Sequence, residues 1–167
     1  MKKQKYKFPE PSCRSCPYHQ EAGLTRYCRG FKGRKPKRFR RSDPIFKAPK
    51  WCPKRLASPI CRIYGFANEQ CEYMERLSAD GFDPKQPYIY PMESHYTLRR
   101  ELSISMNAKQ FFQAAQSELL DDLLPDQDVS IGEVIEIDDG LRPYYFYYWG
   151  LLRLIPILGF HPLKLQT

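Results

Sequence analysis

Residues 131–149 read Ile131-Gly-Glu-Val-Ile-Glu-Ile-Asp-Asp-Gly-Leu-Arg-Pro-Tyr-Tyr-Phe-Tyr-Tyr-Trp149. Two β-rich runs flank Asp138-Asp139-Gly140, and Asp-Gly at such a junction signals a hairpin because the glycine accepts positive φ. Strands are therefore expected over 131–137 and 141–149. Pro143 cannot donate a ladder hydrogen bond, which predicts a sheet edge near it. The run Tyr144–Trp149 reads as strand core with an outward aromatic face, a candidate protein interface. Leu151 to Phe160 is apolar enough to pack beneath the sheet.

Working back from the hairpin, the strongest helical pattern starts at Asn107. Ala108, Phe111, Phe112, Ala115, Leu119, Leu120 and Leu123 recur at helical spacing, Pro125 stops the run, and Gln110 offers a capping box. His95–Ser105 is a candidate strand, and residues 82–94, with three prolines, an extended connection. Asn68 reads as the N-cap of a shorter helix ending at Gly81, with Cys71, Met74 and Leu77 on one side. Ile60–Tyr64 reads as a strand that Gly65 ends. These elements define a small α+β domain over residues 60–167 with a C-terminal β-hairpin.

The N-terminal third has another character. Residues 1–12 form a basic flexible arm, and residues 13–59 are rich in proline with little hydrophobic periodicity. Such a segment buries too little apolar area to fold by collapse alone and needs a staple. Its cysteines offer one. Cys13-x2-Cys16 puts two sulfurs within reach of one ion, and Cys28 and Cys52 complete a set of four. Four thiolates hold Zn²⁺ tetrahedrally at about 2.3 Å and leave no open position, so the Zn²⁺ would be structural. His19 is the alternate ligand. A redox-active Cys13/Cys16 pair is the competing reading, but it wants a surrounding βαβ pattern that is not visible. Cys61 and Cys71 read as buried core thiols. The expectation is an irregular, zinc-stapled, zinc-ribbon-like module.

Charge is just as uneven. Residues 1–62 carry 19 Lys+Arg against 3 Asp+Glu, whereas the remainder carries 8 against 16. Between Cys28 and Cys52 stand Arg29, Lys32, Arg34, Lys35, Lys37, Arg38, Arg40 and Arg41, with Phe31 and Phe39 among them. Arginine forks match phosphate, and aromatic rings stack on exposed bases of RNA or single-stranded DNA. About six phosphate contacts would give a slope of log K against log salt near −5. No recognition helix accompanies the basic stretch, so sequence-specific readout is not expected. Docking onto an acidic protein surface is the second reading, and a solvated basic loop the third.

The acidic segment Glu118–Asp139 holds nine carboxylates and no cation. It reads as a solvated rim, or as a phosphate mimic masking the basic loop or a partner's groove. Glu133, Glu136, Asp138 and Asp139 lack the nearby lysine or histidine that a magnesium-dependent nuclease needs, and His95 and His161 are isolated in sequence. No catalytic constellation is visible, so the chain reads as a non-enzyme. Residues 1–10 are charged, but no apolar signal core follows them. The longest apolar run, 144–160, is broken by Arg153 and Pro156 and falls short of the ~20 residues that span a bilayer. A cytoplasmic protein with no membrane partner is expected, where clustered cysteines favour metal or redox chemistry over disulfides.

Cys13-x2-Cys16, Tyr27-Cys28-Arg-Gly-Phe31, Pro49-Lys-Trp51-Cys52-Pro53-Lys-Arg55, Cys61-Arg-Ile-Tyr64 and Val134–Gly140 together resemble a group of small cysteine-rich bacterial proteins of plasmids, conjugative elements and phages. The resemblance implies an accessory role around nucleic acid or host defence and carries no mechanism. The combined reading is a zinc-stabilised, non-catalytic protein that binds nucleic acid or a nucleoprotein complex. Its alternative is a protein-interaction factor or inhibitor acting on a nucleic-acid-handling complex.

Overall fold

The hairpin forms, with its far strand starting two residues later, at Pro143, than the Asp-Gly signal implies. In the computed structural model, β6 (Val134–Asp138) and β7 (Pro143–Gly150) pair antiparallel, Asp138 opposite Pro143, and Gly140 takes φ +84° in the connection. The structure describes residues 8–81, 88–117, 120–124, 126, 128–150 and 153–162. They divide into two compact units, one of residues 8–57 with the hairpin tip 140–142, the other of 58–139 and 143–162. The protein is α+β, with two antiparallel sheets.

The larger unit is built on a five-stranded sheet. Its remaining strands are β4 (Ile60–Phe66), β5 (Tyr96–Ser103) and β8 (Arg153–Ile157), in the order β5-β4-β6-β7-β8. Pro143 stands at the start of interior strand β7, beyond the stretch that pairs with β8, which begins at Tyr145. A proline needs no ladder partner there. Residues 153–157 do not lie beneath the sheet but extend it, with Pro156 on an outer strand. Phe160 does pack beneath, against Tyr64, Tyr96 and Tyr145.

Two helices flank this sheet. α1 (Glu69–Asp80) is capped by the Asn68 side chain, which accepts from the Cys71 amide. α2 (Ala108–Ala114) starts with the Asn107/Gln110 capping box. It stops well before Pro125, and a four-residue turn α3 (Leu120–Leu123) follows; Leu119 lies outside the described residues. Phe112 stacks on Phe146 at 5.4 Å. On α1 the inward line is Cys71, Glu75 and Ala79, at i, i+4 and i+8, whereas Met74 and Leu77 face solvent at about half exposure. A buried carboxylate in place of Leu or Met explains why the helix turns otherwise than its apolar residues suggest: Glu75 accepts from His95 Nδ1 at 2.7 Å and from the Met92 amide at 2.9 Å.

Gly65 does not end β4; the strand runs through it. Arg99 crosses the glycine to bond Glu133, and a β-carbon at 65 would fall on the Arg99 stem and the Glu133 carboxylate. The acidic segment is a solvated rim only in part: Asp122, Asp126 and Asp128 are exposed, whereas Glu133 and Glu136 are interior at 1% and 0% exposure. Glu136 accepts from Arg62 at 2.6 Å and from the Tyr64 hydroxyl at 2.6 Å, and Arg62 also reaches Glu101 and Asp138. Cys61 is fully buried, as its strand position suggested, and Cys71 half-buried.

The smaller unit is not wholly irregular. β1 (His19–Ala22), β2 (Thr25–Cys28) and β3 (Lys37–Arg38) form a short antiparallel sheet. Cys13, Cys28, Phe39 and Ala48 form its core, with Phe31, Trp51, Cys52 and Leu141 packed on them. Residues 1–7, most of the expected basic arm, and 82–87, part of the expected connection, lie outside the described residues. Among the described residues no helix is long and apolar enough to cross a membrane.

Two expectations follow for the larger unit. Gly65→Ala should lower stability by about 1–3 kcal/mol, the usual cost of forcing atoms into a packed site, read as a drop in urea midpoint. The second concerns alkaline pH. Burial first, then Glu136, pushes the Cys61 thiol up to about 12; burial first, then Glu75, pushes Tyr147 up to about 12. Burial also raises Tyr64, Tyr96 and Tyr145. Each group is neutral in the fold but ionises near pH 9–10 when unfolded, so its contribution is complete below about pH 9 and is lost as pH rises through its folded value. The urea midpoint should stay level from about pH 7 to 9 and fall steadily toward pH 12.

A candidate metal and polyanion-binding surface on the small unit

The four predicted ligands come from three places in the small unit. Cys13 and Cys16 lie on a single 3-10 turn (Cys13–Ser15), where the Cys16 amide donates to the Cys13 carbonyl. Cys28 ends β2, and Cys52 sits in a turn whose amide donates to the Pro49 carbonyl. All six cysteines of the chain are free thiols. Burial first, then the neighbouring Cys52, Cys16 and Cys28, pushes the Cys13 thiol up to about 11, while Arg26 pulls it down. The fold thus brings Cys16, Cys28 and Cys52 within electrostatic reach of Cys13. It does not close them: among the described residues no three His, Cys, Asp or Glu side chains stand where they hold a metal ion. The donor set suits a soft divalent ion such as Zn²⁺.

His19, the alternate ligand, lies directly opposite Cys28 in the β1–β2 register, and its amide donates to the Cys16 carbonyl. Its ring meets Phe39 edge-on at 5.6 Å. The histidine is therefore part of the same interior as the thiols.

The predicted phosphate-binding cations are all on the outside. Arg29, Lys32, Arg34 and Lys35 occupy the β2–β3 connection, Lys37 and Arg38 form β3, and Arg40 and Arg41 follow; each is exposed. Asp43 holds the last turn, accepting from the Arg40 amide at 2.7 Å and from the Trp51 indole at 3.1 Å. These two bonds, the Arg40 amide first, hold its carboxyl below the usual range. It is the sole carboxylate between Glu21 and Glu69, and it is committed to the loop.

The aromatic residues sort differently from the expectation. Phe39 is only 7% exposed and packs against Trp51 at 5.0 Å with Arg26 over its ring, so it is core and is not presented for base stacking. Its place after β3, with its amide bonded to the Arg26 carbonyl, turns it inward. Phe31 is half-buried, stacked on Trp51 at 6.2 Å, and Lys37 roofs that pair 4.4 Å above the indole. Two rings that the sequence reading passed over are open: Phe46 at 72% and Tyr18 at 44% exposure, the latter under Lys54. The available signal was an aromatic residue in Pro44-Ile-Phe46-Lys47 with no periodic apolar partner.

In the larger unit, Glu136 and Asp138 are drawn to Arg62, and His95 to Glu75. Comparison with protein-family models, curated proteins and solved structures finds no match, so every functional statement rests on this chain's own residues.

The Asp43 clasp has a direct readout. In a Trp149→Phe background, Asp43→Ala should shift Trp51 emission to the red. A carboxylate held below its ordinary pKa keeps its bonds above that pKa and loses them as pH falls through the lowered value. Acid should therefore reproduce the shift only below about pH 3.9, the ordinary aspartate value.

Proposed function

We propose that the small unit binds RNA or single-stranded DNA as a non-catalytic accessory factor, its fold stapled by one zinc ion on Cys13, Cys16, Cys28 and Cys52. The observation that carries the reading is the surface of eight exposed cations, Arg29 to Arg41, whose one carboxylate neighbour in sequence between Glu21 and Glu69, Asp43, is already hydrogen-bonded within the loop. Phosphate is the polyanion that such forks fit. Exposed Phe46 and Tyr18, with half-buried Phe31, offer the ring faces that stack on unpaired bases. Bound zinc would supply folding free energy and no chemistry. Zinc loading would draw together thiols that the fold already gathers.

A second reading is favoured by α1, whose outer face shows Tyr73, Met74 and Leu77 at 62%, 50% and 51% exposure. That face suits a protein partner, consistent with a factor acting on a nucleic-acid-handling complex.

Binding of labelled single-stranded RNA and DNA across a salt series tests the proposal. Six phosphate contacts on a single strand give a log–log slope of about −4, and Arg38, Arg40 and Arg41 changed together to Ala should make it shallower by about 2. Phe46→Ala should weaken binding by about 1–3 kcal/mol at unchanged slope. Protein purified without added zinc should carry about one zinc per chain by elemental analysis. Binding that ignores the triple substitution sinks the nucleic-acid reading, and a zinc content near zero sinks the staple.

A further inference from the structure

Two side-chain nitrogens of the small unit are buried without a hydrogen-bond partner: His19 Nε2 and Arg26 Nη1. The His19 side chain is 8% exposed, and Glu21 Oε1, at 4.0 Å, is beyond hydrogen-bonding range of it. Both residues look the same way. His19 stands opposite Cys28, and Arg26, two residues before Cys28, stands opposite Glu21; alternate residues of a strand share a face. Phe39 lies on that face as well, with the His19 ring edge-on to it and Arg26 Cζ 5.3 Å above it, and Phe39 packs with Cys13 and Cys28. The open nitrogens therefore border the sulfur-lined interior.

A buried donor with no acceptor is costly, and native folds rarely keep one. The thiols of Cys13 and Cys28 pack with Phe39 on the same face, but neither nitrogen bonds one, and a thiol is a weak acceptor. Four thiolates around one divalent cation are another matter. The assembly carries a net charge of 2−, and an anionic acceptor shortens and strengthens a hydrogen bond. A buried charge of that size calls for compensation, and arginine is cationic at every relevant pH.

Resting on the zinc reading above, we propose that Arg26 and His19 are outer-sphere donors to the metal-bound thiolates. Arg26 Nη1 and His19 Nε2–H each donate an N–H···S bond, and the arginine offsets half the charge of the site. His19 is then a positioning residue and no ligand, because four sulfurs fill a tetrahedral ion. The basic loop gains from this as well: Cys28, where β2 ends, and Phe39, just after β3, border the groups that these two side chains hold.

The test uses the full chain and measures zinc affinity by competition with a chromophoric chelator. Arg26→Met and His19→Phe should each bind about one zinc per chain with affinity weakened 10–100-fold, the usual cost of losing an outer-shell partner. Arg26→Lys, which keeps the charge and a donor, should lose less than Arg26→Met; equal losses in variants that keep the wild-type circular dichroism overturn the charge argument. With Co²⁺ as the probe, His19→Phe should keep the absorption envelope of four thiolates. A changed envelope makes His19 a ligand and overturns the outer-sphere assignment. Unaltered zinc affinity in Arg26→Met and His19→Phe overturns this inference alone, whereas a wild-type chain that takes up neither ion overturns the zinc reading with it.

Discussion

The interior of the small unit is made of sulfur and aromatic rings, and what the unit displays depends on that interior holding. Cys13 and Cys28 lie with Phe39 and Ala48 at the centre, and Trp51 and Cys52 close over them. So small a core removes little apolar surface from water, and short domains of this kind usually need a covalent or metal link. The cations crowd the outside of the same structure, where mutual repulsion opposes compaction. The groups that resist this repulsion are local: the Asp43 clasp on Arg40 and Trp51, Lys37 over the Phe31–Trp51 pair, and Arg55 on the Ala48 and Pro49 carbonyls.

The larger unit handles charge in the opposite way. Its acidic excess is partly drawn inside and paired. Glu136 has no exposed surface and bonds Arg62 and Tyr64; Glu133 bonds Arg99; Glu75 bonds His95. Burying a carboxylate is costly unless a cation or donors meet it, and each of these has such a partner. The same pairing explains why Glu136 and Asp138, which in sequence resemble part of a cluster awaiting a metal, are directed at Arg62 of the neighbouring strand. One chain thus holds a unit that exposes positive charge and a unit that internalises negative charge.

Much of this was legible residue by residue. Asn68 and the Asn107/Gln110 box start the helices expected of them, and Asp139-Gly140 lies in the hairpin connection, because caps and turns depend on neighbours within four positions. The strands around Ile63, Leu98, Ile135 and Phe146 follow from β-rich composition. Less legible were features created across strands. Gly65 looked like a terminator, yet it is the gap through which Arg99 reaches Glu133. Met74 and Leu77 looked like the inward line of α1, yet Glu75 took that place once His95 and the Met92 amide stood opposite it.

On the small unit the division is the same. The spacing of Cys13, Cys16, Cys28 and Cys52 and the run of cations from Arg29 to Arg41 are properties of the amino-acid sequence itself, and they determined which chemistry to look for. Only the tertiary structure decided how those residues are used. It put Phe39 in the core and left Phe46 open, and it turned His19 and Arg26 inward beside the thiols. The physical reason is that charge and ligand type belong to a side chain, whereas burial and partnership belong to the elements packed against it.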